Sequence, residues 1–214
     1  MNQAVITGGN GTLGSAIAAA LEHPDWRILA PSSTEMDVRD ETAVQRFFQE
    51  NDAALLVCAA GIIRDAPLLR MTRDSWDDVF AVNFKGAAAC AKAVLPEMIR
   101  NGGGHIIFIS SFSALHPPVG QAAYATAKAA LLGLTADLAR SHGERNIRIN
   151  AVLPGFIETR MTESVTALRR EQVRESHVLK RFNTPAEVGK FIRHLHHELP
   201  HTSGQVFQLD SRIS

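Results

Sequence analysis

The sequence predicts an α/β fold, with one doubly wound parallel sheet and helices on both of its faces. Apolar segments of strand length alternate with segments of helical periodicity along the whole chain. The strand segments are almost entirely apolar, as expected for strands that are covered on both faces. No repeat, linker or low-complexity segment divides the 214 residues, a length that fits one domain. We therefore expect residues 1–214 to form a single domain.

Each predicted element rests on its own pattern. The strands are predicted at 3–7, 26–30, 53–59, 105–110, 147–152 and 205–209. Helical spacing of apolar residues predicts helices at 13–21, 41–50, 75–100 and 121–141. Residues 158–181 are polar, charged and helix-prone, and Thr184 followed by Pro185 and Glu187 is typical of a helix start.

Composition excludes several classes of function. The 22 basic residues equal the 22 acidic ones, which argues against a dedicated nucleic-acid-binding protein. The longest apolar run, 53–63, is too short for a membrane helix, and the first residues show no secretion signal. We therefore expect a cytoplasmic protein without membrane contact, in which Cys58 and Cys90 are buried thiols rather than a disulfide or metal site.

A glycine-rich loop follows the first predicted strand. It reads Thr-Gly-Gly-Asn-Gly-Thr-Leu-Gly at 7–14 and opens the first helix. In that context Gly8 permits a tight turn, Gly11 lets the backbone approach a pyrophosphate, and Gly14 lets the helix pack on the strand. The loop predicts a Rossmann-type NAD(P)-binding domain, with Asn10, Thr12 and Leu13 as further cofactor-binding residues.

The second strand bears on the choice of cofactor. No acidic residue follows it to bind a ribose 2′-hydroxyl, as NAD enzymes require. Ser32 and Ser33 are there instead, either as contacts for the 2′-phosphate of NADP(H) or as plain loop residues. NADP(H) is thus preferred, with NAD(H) as the alternative. Asp37 either contacts the adenine or caps the helix that follows.

Four polar residues form the candidate catalytic set. Tyr124 and Lys128 are four apart on one helix and therefore share a face. An ammonium and an oxidised nicotinamide near the phenol would lower its pKa from about 10, so that Tyr124 can exchange a proton with a carbonyl oxygen. Ser111, which follows a predicted strand, is placed to hold that oxygen, and Asn83 to anchor a water that passes protons to Lys128.

Together these motifs resemble the short-chain dehydrogenase/reductase family. The resemblance spans the chain, through the loop at 7–14, Cys-Ala-Ala-Gly at 58–61, Ile-Ser-Ser at 109–111, Tyr-Ala-Thr-Ala-Lys at 124–128 and Asn-Ala-Val-Leu-Pro-Gly at 150–155. Segments 60–83 and 149–162 are most similar to bacterial 3-oxoacyl-(acyl-carrier-protein) reductases.

The resemblance implies NADPH-dependent reduction of a 3-oxoacyl thioester, or a related ketone, to the hydroxy form. Its substrate is implied to be a small molecule or bound to a carrier protein, and residues 156–184 would be the substrate flap. The chain would assemble as a homodimer or homotetramer through helices 75–100 and 121–141. The further cofactor-binding positions that it implies are Val38, Ala59, Ala60, Gly61, Pro154, Gly155, Ile157 and Thr159, together with Tyr124 and Lys128.

Some positions depart from the family pattern. The glycine spacing is similar to that of nucleotide-sugar epimerases and dehydratases, which keeps that activity as an alternative, beside a non-catalytic NADP-binding scaffold. Cys58 stands where Asn is usual, and Leu-Asp-Ser-Arg at 209–212 where an Asp-Gly-Gly turn is common. The short stretch before Asp37 predicts that one helix and one peripheral strand are reduced or missing.

Histidines near the C-terminus are the remaining candidate ligands. His194, His196, His197 and His201 lie in or near the last helix, without a supporting carboxylate or cysteine pattern. We therefore predict a solvated helix face and no metal site.

Overall fold

The computed structural model describes residues 2–213 and contains one six-stranded sheet. All neighbouring strands pair in parallel, in the order β2-β1-β3-β4-β5-β6. The predicted parallel sheet is confirmed, with ends shifted by a few residues. The strands are Asn2–Thr7 (β1), Trp26–Leu29 (β2), Leu55–Cys58 (β3), Gly104–Ile109 (β4), Ile147–Leu153 (β5) and Val206–Gln208 (β6).

Helices cover both faces of the sheet, as predicted. They are Thr12–Leu21 (α1), Glu41–Glu50 (α2), Arg73–Phe80 (α3), Ala87–Arg100 (α4), Ala122–His142 (α5), Ala167–Ser176 (α6) and Pro185–His197 (α7). Alternate strand residues enter opposite cores. Leu55 and Val57 pack in the core with α1 and α7, whereas Leu56 and Cys58 pack in the core with α2, α4 and α5.

The long helix predicted at 75–100 is divided by one wide turn. Residues Ala81–Gly86 form a π-helix between α3 and α4, and Asn83 is buried within it. Within the described residues, 73–100 is the single helical stretch with the length and mean hydropathy (1.2) to cross a membrane. Half of the apolar 18-residue window within that stretch is buried inside the protein, and α4 supplies Cys90, Val94 and Met98 to the core.

The connection after β2 is short. It leads directly to α2 and then to β3, so β2 is an edge strand, in agreement with the predicted loss of a helix and a peripheral strand. α2 is capped by Asp40, whose carboxylate accepts from the N–H groups of Thr42 and Ala43. The alternative in which Asp37 caps this helix is therefore wrong.

The chain direction across the sheet reverses beside β1. From β1 the strand order runs to β2 on one side and to β3 on the other. In open parallel sheets, ligands bind at the carboxyl ends of the strands beside such a reversal. This edge carries the candidate site.

Candidate active site

A cleft of about 1100 Å³ opens at the carboxyl ends of the strands. Ser111, Tyr124 and Lys128 line it, and so does every predicted cofactor-binding residue. The cleft runs from the loop after β2, past the glycine loop, to the start of α5 and the segment after β5. Asn83 is not part of the lining and lies just behind it.

The glycine loop has the geometry of a phosphate cradle. Gly8 has a φ of +72°, and a Cβ at Gly14 would lie 2.3 Å from the Gly8 carbonyl oxygen, so neither position accepts a side chain without rearrangement. α1 begins without a side-chain cap, which leaves its first N–H groups available. These features fit the pyrophosphate of a dinucleotide.

The loop after β2 is held by hydrogen bonds between its own residues. Ser32 is buried, and its hydroxyl donates to the Glu35 carboxylate at 2.7 Å. Ser33 is exposed and lines the cleft. Arg39 also lines the cleft, and its guanidinium holds the pKa of the Asp37 carboxyl below its ordinary value. The sequence argument considered Ser32, Ser33 and Asp37 after the second strand and missed Arg39.

Thr7 fixes the segment after β3. Its buried hydroxyl oxygen accepts from the backbone N–H groups of Ala59 and Ala60, both at 3.1 Å. Cys58 lies in the core, where burial raises the pKa of its thiol well above the ordinary value. Thr7, a residue whose role the sequence did not reveal, thus supports the segment that follows Cys58.

Asn83 holds the next part of the same segment. Its Oδ1 accepts from the N–H of Ile62 at 2.9 Å, and its Nδ2 donates to the Ile62 carbonyl at 2.8 Å. A Cβ at Gly61 would lie 2.9 Å from Asn83 Oδ1 and 3.6 Å from Lys128 Nζ. The side chain of Asn83 therefore positions backbone against the catalytic candidates, while its part in a proton path stays a prediction.

Ser111, Tyr124 and Lys128 come together where β4 ends and α5 begins. Lys128 is buried, its Nζ donates to the Ile109 carbonyl at 2.8 Å, and it lies 5.9 Å from the centre of the Tyr124 ring. The Ser110 hydroxyl donates to the Lys128 carbonyl at 2.8 Å and so ties α5 to β4. The Ser111 oxygen accepts from the N–H of Ser113 at 3.1 Å.

Burial sets the proton affinities of this group. It lowers the pKa of Lys128 from 10.5 to about 8. It also raises the pKa of Tyr124, an effect that a hydrogen bond with Ser111 partly offsets and the charge of Asp65 increases. For the protein alone this is opposite to the lowered phenol pKa that the sequence argument expected, because burial is the largest influence on the Tyr124 phenol.

A hydrogen-bond chain that the sequence did not reveal connects three segments of the site. Gln121 Nε2 donates to Asp65 Oδ2 at 2.7 Å, and its Oε1 accepts from the Ser113 hydroxyl at 2.9 Å. Gln121 is the N-cap residue of α5, yet its side chain makes no cap hydrogen bond. It instead fixes the turn that carries Ser111 to the start of the helix that carries Tyr124.

The segment predicted as a flap lies along the cleft. Ile157, Thr159 and Arg160 line it, and the Arg160 guanidinium contacts the Asn10 carbonyl of the glycine loop. The Thr162 side chain bonds the backbone of residues 157 and 159, which closes a compact turn after β5. Its role as a mobile substrate flap stays a prediction.

The C-terminal histidines do not all face solvent as predicted. His194 and His197 are exposed, but His196 is half-buried, with its Nδ1 3.2 Å from Nδ1 of the buried His105. Asn150 Nδ2 lies 3.0 Å from His105 Nε2, so His105 carries its proton on Nδ1 and donates it to His196. Among residues 2–213, no three His, Cys, Asp or Glu side chains are grouped as metal ligands.

Comparisons with known proteins agree with this geometry. A family model described as enoyl-(acyl carrier protein) reductase matches residues 9–211. The chain belongs to this family of short-chain dehydrogenases/reductases. It is an oxidoreductase family, so the predicted enzyme class is confirmed.

Three relatives illustrate the range of similarity. The 3-oxoacyl-(acyl-carrier-protein) reductase FabG of Thermotoga maritima is 42% identical over 74% of this chain and 65% of its own length. FabG of Aquifex aeolicus is 34% identical over 96% of this chain and 85% of its own. A structure described as an NAD(P)-dependent gluconate 5-dehydrogenase of Beutenbergia cavernae, with bound NADP, is 25% identical, with a TM-score of 0.92 over 98% of this chain and 95% of that one.

Proposed function

We propose that the protein is an NADP(H)-dependent carbonyl reductase that converts a 3-oxoacyl thioester, or a related ketone, to the hydroxy form. The observation that carries the proposal is that Ser111, Tyr124 and Lys128 line one cleft with the glycine loop. The relatives described as 3-oxoacyl-(acyl-carrier-protein) reductases, and the NADP-bound neighbour, support the same chemistry.

Each polar residue has a distinct task in this mechanism. Ser111 and Tyr124 hold the carbonyl oxygen, and the Tyr124 hydroxyl gives it a proton. Lys128 stabilises the phenolate that remains, because its ammonium lies on the same helix face. When bound, NADPH supplies the hydride that the carbonyl carbon accepts. Asn83 and Thr7 keep residues 59–62 in place beside Lys128.

The cofactor is proposed to lie with its pyrophosphate on the glycine loop and α1. Arg39 and Ser33 line the part of the cleft that follows β2, where a 2′-phosphate would be bound. Arg39→Ala should therefore raise the KM for NADPH about 10-fold and leave that for NADH unchanged. Arg46→Ala, at an exposed position on α2, serves as the matched control.

One kinetic experiment tests the proposed activity. Purified protein is mixed with NADPH and a short 3-oxoacyl thioester, and the nicotinamide absorbance is followed. Tyr124→Phe should abolish turnover and retain NADPH binding, which fluorescence titration measures independently. An unchanged rate in Tyr124→Phe would refute its role, and cofactor that co-purifies without net NADPH consumption would favour a nucleotide-sugar epimerase.

The assembly and the cellular setting follow the same proposal. We propose a homodimer or homotetramer in the cytoplasm, in which α4 and α5 contact a second subunit. The substrate would be a small molecule or an acyl group on a carrier protein. Sedimentation at micromolar concentration tests the assembly, and a purely monomeric protein would refute it.

A further inference from the structure

The C-terminal segment places an arginine in the cleft beside the catalytic candidates. Arg212 lines the same cleft as Ser111 and Tyr124. Its guanidinium carbon lies 3.4 Å from the centre of the Phe112 ring, and Phe112 directly follows Ser111 in the chain. Arg212 thus lies at the end of the cleft where Ser111 is proposed to hold the substrate carbonyl.

Asp210 fixes the orientation of this arginine. Its buried carboxylate accepts from Arg212 Nε at 2.6 Å and from Gln208 Nε2 at 2.8 Å, and it also contacts Arg212 Nη2. Asp210 is packed against the turn after β5, since a Cβ added at Gly155 would lie 2.5 Å from the Cβ of Asp210. The guanidinium is therefore held by its Nε and Nη2 edge and by stacking on Phe112, so little rotamer entropy is left to lose on binding a ligand.

A second cation faces the same part of the cleft. Arg169 of α6 lines it, is exposed, and has the neutral Gln172 as its side-chain hydrogen-bond partner. Arg169 is close enough to Arg212 that its positive charge disfavours the charged form of Arg212. Asp210 thus balances the charge of Arg212 but not that of Arg169. Asp65, an acidic residue that also lines the cleft, accepts a hydrogen bond from Gln121.

The segment that carries Arg169 is fastened to the segment that carries Arg212. The N–H of Val178 donates to the Ser211 carbonyl at 3.1 Å, and His177 pairs with Arg212 in an antiparallel bridge. His177 Nε2 lies 3.7 Å from the Asp210 carboxylate. The two arginines consequently keep a constant relation to each other, as a binding site requires.

From this arrangement we propose that Arg212, together with Arg169, recognises an anionic group on the ketone substrate. This inference rests on the proposed reductase function and narrows its substrate class. Because the Arg212 guanidinium stacks on Phe112, the residue that follows Ser111, we place the anion within a few bonds of the reacting carbonyl. A carboxylate on a short keto acid meets that condition, whereas the phosphate of a pantetheine-linked acyl group lies many bonds farther from its keto carbonyl.

Kinetics with three substrates test this proposal. They are a short keto acid, a 3-oxoacyl coenzyme A thioester and the uncharged N-acetylcysteamine thioester of the same acyl group. Arg169→Met removes an exposed cation and should raise KM about 10-fold for the anionic substrate that the site accepts, with kcat retained. Arg170→Met is the matched control, because Arg170 pairs with Glu158 at 3.2 Å and does not line the cleft.

Arg212 is tested in two variants because its loss leaves the buried Asp210 carboxylate without its arginine partner. Arg212→Met combined with Asp210→Asn removes both charges, and Arg212→Lys retains the cation without the planar stacking. We expect the double variant to lose about 100-fold in kcat/KM on the anionic substrate and little on the uncharged thioester, with Arg212→Lys intermediate. Circular dichroism establishes that each variant is folded.

The outcomes separate this inference from the proposed function. If all three substrates lose activity equally, or if none does, anion recognition by these arginines is refuted, while NADPH-dependent turnover still supports the reductase. A selective loss on the keto acid identifies the carboxylate as the ligand, whereas a selective loss on the coenzyme A thioester would place the anion far from the carbonyl and refute the inference. Absence of any NADPH-dependent turnover in the unmodified protein refutes the proposed function itself.

Discussion

Replacing Lys128 by methionine should stabilise the protein and abolish its activity. Burial lowers the pKa of Lys128 from 10.5 to about 8, and the gap corresponds to about 3 kcal/mol at 1.36 kcal/mol per pH unit. Methionine fills a similar volume without charge, but leaves the Ile109 carbonyl without the donor that Nζ provides, a loss of about 1 kcal/mol. The net gain at pH 7 is therefore about 2 kcal/mol, or about 4–8 °C in Tm.

The pH dependence follows from the direction of the shift. Below pH 8 the lysine is protonated in both the folded and the unfolded chain, and the full burial penalty applies. Between pH 8 and 10.5 the unfolded chain binds the extra proton, so the unmodified protein gains stability as the pH rises. The advantage of Lys128→Met, about 2 kcal/mol at pH 7, should consequently shrink over this interval, vanish near about pH 9.5 and reverse by pH 10.5.

Urea unfolding at fixed protein concentration, from pH 7 to 10, measures both effects. Lys190→Met is the matched control, because Lys190 is exposed on α7. The reasoning is refuted if Lys128→Met is no more stable than the unmodified protein at pH 7, or if its advantage does not depend on pH.

Three further predictions concern the cofactor loop, the phenol and the histidine pair. Gly14→Ala should abolish NADPH binding and lower the stability of the protein, since its Cβ would lie 2.3 Å from the Gly8 carbonyl oxygen. The control Gly133→Ala in α5 has open space around its Cβ and should raise the free energy of unfolding by up to about 1 kcal/mol. Calorimetry and cofactor titration distinguish the two variants. Tyr124 is the single tyrosine of the chain, so tyrosinate absorbance reports its pKa directly. The pKa should lie above the ordinary value of 10 in the protein alone and should fall when NADP⁺ is added. An unchanged pKa on addition of NADP⁺ would contradict the proposed role. Burial lowers the pKa of His196 to about 3, so below pH 6.5 the unfolded chain binds more protons than the folded protein. The contribution of His196 to the free energy of unfolding should therefore fall by about 1.4 kcal/mol per pH unit from pH 6.5 to 5. Unfolding curves across that range should show a smaller slope for His196→Gln and an unchanged slope for the exposed control His201→Gln.

Most of the fold was predictable because its signals are local. Continuous apolar runs such as 53–59 mark strands that are buried on both faces, and the glycine loop fixes the first βα turn. The division of the long helix at Ala81–Gly86 was not predictable from local periodicity, and Asn83 within it pairs with the backbone of Ile62, 21 residues away in the chain.

The candidate site was predictable to the extent that it consists of motifs. Ser111, Tyr124 and Lys128 could be placed from spacing and from family resemblance. Arg39 and Arg212 could not, because their places in the cleft depend on the ion pairs with Asp37 and Asp210. The raised pKa of Tyr124 was missed for a related reason, since burial is a property of the folded chain.

The short connection after β2 leaves this strand exposed at the edge of the sheet. With no further strand beyond β2, one side of its backbone offers unpaired N–H and C=O groups to any passing extended chain. Three features guard against such intermolecular pairing: the strand is only four residues long, it carries the exposed Arg27, and Pro31 follows shortly after its end. Substituting Arg27 and Pro31 with β-branched residues would turn this protected margin into a template for aggregation.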